Sequence, residues 1–133
     1  MKKNPVVHFE LPYDDKERMV EFYAKSFGWT ANMLGAEYGG YVTVMTSEAD
    51  EKGFPKERGM INGGFYKKEA DKPAQYPSVV ISVNDIEDAM EKIAKAGGKV
   101  LGEPWDIPEV GPYVSFIDTE GNRVAILQPK MKM

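Results

Sequence analysis

His8 and Glu10 are the residues with the most chemistry to offer. His8 is the chain's only histidine, and Glu10 follows two positions later. In an extended strand that spacing puts both side chains on one face. An imidazole beside a carboxylate suits metal ligation, acid–base work or hydrogen bonding to a ligand. A plain polar pair in a wet cleft fits the same two residues. Tyr41 and Thr43 also share a face by alternation, as do Tyr113 and Ser115. Aromatic rings with a few hydroxyls fit a cleft for a small, partly apolar molecule. Trp29 and Trp105 are expected at the rim of such a cleft.

The residue inventory excludes other chemistry. The chain has no cysteine, so disulfides, thiolate zinc sites and cysteine nucleophiles are ruled out. With one histidine, a two-histidine, one-carboxylate iron centre cannot form within one chain. The 133 residues carry 17 basic and 21 acidic side chains, a formal charge of −4, without a basic cluster. Nucleic acid is therefore not expected as a partner. No apolar run is long enough to span a membrane, and no apolar segment of signal-peptide type follows the charged start. A cytoplasmic location fits this composition.

The elements that position these residues occur twice. Asp15, Glu17, Glu21, Ala24, Lys25 and Gly28 fall on Asp85, Glu87, Glu91, Ala94, Lys95 and Gly98 under a shift of 70. Chance would give about one such match in this stretch. Tyr41-Val42-Thr43-Val44 repeats as Tyr113-Val114-Ser115-Phe116 under a shift of 72. A duplicated module accounts for both.

Each half reads strand, helix, then three strands. In the first half, Val7, Phe9 and Leu11 alternate with His8 and Glu10 over residues 6–11. Asp14 is the expected helix cap, with Glu17 three residues on. Met19, Phe22, Tyr23 and Phe27 form the helical stripe, and Gly28 is the stop. Further strands are expected near 29–36, 40–46 and 60–67. The second half has a strand over 79–83 and a cap at Asn84. Its helical stripe is Ile86, Ala89, Met90 and Ile93, and Gly97 and Gly98 close the helix. Its remaining strands fall near 99–105, 112–118 and 122–128, with a turn at Asp118–Asn122. Residues 47–59 form a long polar loop, read as a plain insertion in preference to a mobile flap over a site. If Val7, Phe9 and Leu11 face the helix, His8 and Glu10 face away from it.

Val7-His8-Phe9-Glu10-Leu11, Phe22–Trp29, Ile86–Gly98 and the run from Asp118 to Gln128 together resemble the vicinal oxygen chelate superfamily. This is also called the glyoxalase / bleomycin resistance protein / dioxygenase superfamily. The resemblance implies an α+β fold of two βαβββ modules, forming an open cupped mixed β-sheet with helices on the outer face. It implies a single domain over 1–133, made of module 5–67 and module 78–129 with a linker near 68–77. Metal-dependent members supply a His or Gln from the first strand of a module and a Glu from the last. His8 matches the first place, Ser78 its counterpart in the second module, and Ala125 stands where the second module's Glu would be. Strand 61–65 offers no carboxylate either, so the usual divalent metal is not expected and no cofactor is assigned. The expected function is small-molecule binding through His8, Glu10, Tyr41, Thr43, Tyr113 and Ser115. The alternative is a glyoxalase-like lyase or isomerase using His8 and Glu10. A homodimer is expected, because modules of this fold often pair edge to edge.

Overall fold

Alternation of apolar and polar residues fixes the strands, and two amphipathic segments form the helices. The structure, a computed structural model, describes residues 2–130. Met1 and residues 131–133, the ends of the expected domain, lie outside the described residues. The element order is β1 (Val6–Tyr13), α1 (Lys16–Phe27), β2 (Thr30–Met33), a short 3₁₀ turn, β3 (Val42–Met45) and β4 (Asn62–Lys67). The second half runs β5 (Ser78–Ser82), α2 (Ile86–Lys95), β6 (Lys99–Ile107), β7 (Gly111–Ile117) and β8 (Arg123–Leu127). Strand, helix and three strands thus occur twice. The eight strands form one mixed open sheet of order β2-β3-β4-β1-β5-β8-β7-β6.

The chain divides into two compact units. One is His8–Pro77; the other joins the residues through Val7 to those from Ser78 onward. Within the first, β1 runs parallel to β4, and β4 and β2 both pair antiparallel with β3. Tyr13, Val42, Val44 and Phe65 are its buried core, and Leu11, Met19, Val20, Tyr23 and Trp29 pack against them. Removing apolar surface from water, at about 25 cal/mol per Å², holds the half-buried Met19, Val20 and Tyr23 of α1 to one face of these strands. The second unit repeats the scheme: β5 is parallel to β8, and β7 lies antiparallel between β8 and β6. Its core is Val83, Ile86, Val114, Phe116 and Ile126, with Ala89, Met90 and Ile93 of α2 against it.

Both helix caps sit one residue beyond the expected positions. Asp15, not Asp14, accepts a hydrogen bond from the Arg18 amide at 3.0 Å. Asp85, not Asn84, accepts one from the Asp88 amide at 3.1 Å. A capping side chain must reach an amide three residues on, and the repeat itself pairs Asp15 with Asp85. Gly28 ends α1 as expected, in the left-handed conformation with φ 73°. Trp29 is also displaced from its expected place. Its ring stacks on Tyr23 at 4.7 Å and 12°, and packs against Phe9 and Phe27, within the helix-side aromatic cluster. Trp105 is exposed on β6, opposite Tyr113. No described helix is long and apolar enough to cross a membrane.

Candidate functional site

The register of the first unit explains how distant residues converge. His8 lies opposite Asn62 and Glu10 opposite Gly64. Gly64 in turn lies opposite Thr43 on β3. Residues opposed across neighbouring strands share a face. The face away from α1 therefore carries His8, Glu10, Gly64 and Thr43. Phe9, Leu11, Phe65, Val42 and Val44 turn toward the helix, as the alternation requires.

Tyr41 joins this face just before β3 begins. Its hydroxyl donates to Glu10 Oε2 at 3.0 Å and lies 2.9 Å from His8 Nε2. The phenol thus stands between the imidazole and the carboxylate. A hydroxyl has one proton. With that proton committed to Glu10, the contact to His8 requires Nε2–H to donate to the Tyr41 oxygen. Glu10 is only 7% exposed, so it needs such a donor. Burial pushes the His8 imidazole down to about 4, leaving it neutral at neutral pH.

Two features hold the phenol in place. The first is Gly64. A Cβ built on Gly64 would fall inside the Tyr41 hydroxyl and ring edge. Only a residue without a side chain leaves room for the phenol to pass over β4 and reach both partners. The second is the turn before Tyr41. Gly40 adopts φ 78°, and its carbonyl accepts a 2.6 Å hydrogen bond from the Tyr13 hydroxyl. Burial, and then the Glu17 carboxylate, raise the Tyr13 phenol above its ordinary value, so it stays a donor.

Of the six expected site residues, His8, Glu10 and Tyr41 form one hydrogen-bonded group. Tyr41 is its centre, bonded to both of the others. Thr43 shares the face, but its hydroxyl turns toward β2, 3.4 Å from the Asn32 carbonyl. Tyr113 and Ser115 belong to the other unit, on β7, opposite Leu127 and Ala125. Gly64 was missed. The signal for it was a Gly-Gly pair inside a strand, which often marks close approach by another group.

A family model described as the Glyoxalase/Bleomycin resistance protein/Dioxygenase superfamily matches residues 6–126. The chain belongs to this superfamily. A glyoxylase-like domain-containing protein from Didymella fabae is 33% identical over 120 residues, covering 88% of each chain. The anthracycline biosynthesis protein DauV of Streptomyces sp. (strain C5) is 24% identical, and the match spans only 44% of its length. Among solved structures, a Streptomyces coelicolor methylmalonyl-CoA epimerase aligns with a TM-score of 0.66. It covers 95% of this chain and 97% of the other at 16% identity, a likeness of fold.

Ala125 and Gly64 occupy equivalent places in the two modules. Ala125 pairs with Val80 and Ser115, and Gly64 pairs with Glu10 and Thr43. Val80 repeats Glu10 under the shift of 70, and Ser115 repeats Thr43 under the shift of 72. Gly64 is therefore the first-module counterpart of Ala125, and neither carries a carboxylate. Ser78 spends its hydroxyl on the Arg123 carbonyl at 2.7 Å. Among the described residues, no three His, Cys, Asp or Glu side chains cluster closely enough to hold a metal ion.

Proposed function

We propose that this chain is a small-molecule-binding member of its superfamily that works without the usual divalent metal. One observation carries the reading: the Tyr41 hydroxyl lies over Gly64, between His8 and Glu10. A carboxylate on residue 64 would need the space the phenol fills. The donor set does not fit the metal, because one imidazole and one carboxylate already bridged by a phenol leave too few ligands for tight binding. The same three groups give a preorganised polar wall against which an organic ligand can be oriented.

The test is calorimetric titration of Ni²⁺, Zn²⁺, Mn²⁺ and Fe²⁺ into wild type and His8→Ala. The expected result is no stoichiometric binding that depends on His8. Tight one-to-one binding abolished in His8→Ala overturns the metal-free reading.

A second reading rests on the same line of proton-bearing groups. A neutral imidazole, a phenol and a carboxylate in hydrogen-bonded sequence can move a proton, as a lyase or isomerase requires. Methylmalonyl-CoA and lactoylglutathione, chosen from the names of an epimerase neighbour and a lyase relative, are the probes to incubate in heavy water. Deuterium uptake beside the carbonyl that His8→Ala loses would favour the enzyme. The protein is proposed to be a cytoplasmic homodimer, which sedimentation of the purified chain checks.

A further inference from the structure

The hydrogen bonds of the site have a direction, and the direction restricts what can bind. Glu10 receives the Tyr41 proton, and Tyr41 receives the His8 Nε2 proton. Both protons are spent inside the group. A neutral imidazole carries one N–H, so protonation at Nε2 leaves Nδ1 as a bare lone pair. Among the described residues, the one hydrogen bond of the His8 ring is that to Tyr41. His8 is partly buried, and it stands on the strand face away from α1. An imidazole nitrogen in such surroundings gains from a donor delivered by a ligand.

We infer that the site takes a small molecule carrying an N–H or O–H donor, a protonated amine above all, which His8 Nδ1 accepts. This deepens the ligand-binding reading above and rests on it. Carboxylates and phosphates are disfavoured for two reasons. They bring acceptors to an acceptor, and they bring negative charge beside the Glu10 carboxylate. A cationic amine has the complementary sign on both counts. Tyr41 is the positioning residue in this scheme. It touches His8 and sets which ring nitrogen faces the ligand.

The single histidine makes the test direct. Full-length, ¹⁵N-labelled protein at neutral pH gives one pair of imidazole resonances in a long-range proton–nitrogen correlation. The expected spectrum has Nε2 protonated and Nδ1 unprotonated. Benzylamine and benzoate are then titrated as probes of matched ring and opposite character. Benzylamine is expected to shift the Nδ1 resonance and to bind on the order of ten-fold tighter than benzoate. Tyr41→Phe keeps the ring and removes the lock, so both tautomers are expected and the preference for the amine shrinks. A wild-type spectrum with the proton on Nδ1 overturns the inference before any ligand is added. Tighter binding of benzoate, with a shift at His8, overturns the donor class and leaves the ligand-binding reading standing. Silence from both probes at His8 overturns the inference, whereas the metal-free reading beneath it stands or falls on the metal titration.

Discussion

At the scale of single residues, His8 links the site to the pH dependence of the fold. Its imidazole titrates near 6.5 when unfolded and near 4 when folded, because burial opposes the charged form. Between these values the unfolded chain binds more protons than the folded one. The contribution to stability is therefore complete above about pH 6.5 and falls as the pH drops toward 4, by at most about 3 kcal/mol. Urea denaturation of wild type and His8→Gln at pH 7 and pH 4.5 measures it. The expected outcome is a smaller loss for His8→Gln than for wild type, the remainder being carboxylates. An equal loss in both chains shows that His8 is not the group responsible. The pair His8 and Glu10 was legible in the sequence because two residues on one strand share a face by rule. The role of Tyr41 was legible only as a shared face with Thr43. Its contact spans 31 and 33 positions and depends on β4 lying between β1 and β3. Alternation within one strand carries no information about which strand will be the neighbour.

At the scale of elements, β4 shows how one strand serves two faces. Gly63 and Gly64 are adjacent, so their missing side chains open opposite sides of the sheet. A Cβ on Gly63 would meet the Phe9 ring, and one on Gly64 would meet Tyr41. Both Gly63→Ala and Gly64→Ala are expected to destabilise the chain by about 1–3 kcal/mol through overpacking. They should differ in the His8 spectrum. Gly64→Ala displaces the phenol and alters the imidazole resonances, whereas Gly63→Ala acts on the helix side and leaves the tautomer as in wild type. Identical His8 spectra in the two variants would falsify this division of labour. Much of the element order was legible, since the duplicated pattern repeats strand, helix and turn signals. The caps were misplaced by one residue because Asp14-Asp15 and Asn84-Asp85 each offer two good capping side chains in succession. Composition alone does not choose between neighbours; reach to the third amide does. Trp29 was placed at a rim by its position at a strand end. The aromatic stripe of α1 claims it instead.

At the scale of the whole molecule, charge sets the working range. The formal charge is −4 at pH 7, and the isoelectric point lies near 5.1. Repulsion between molecules vanishes there, so light scattering at constant protein concentration should peak near pH 5 and fall on either side. A scattering maximum well away from pH 5 contradicts this expectation. The same region overlaps the titration of His8, so storage and assay belong above pH 6.5. The polar loop between β3 and β4 adds a different kind of consequence. Asp50 accepts from the amides of Lys52 and Phe54, Ala49 bridges to Pro55, and the Lys56 amide returns to the Glu48 carbonyl at 3.0 Å. The loop closes on itself through these bonds, and residues 51–53 at its tip are exposed. Residues 51–53 are thus a natural splice point, where an epitope or a fluorescent reporter can enter the chain while the strands on either side keep their register.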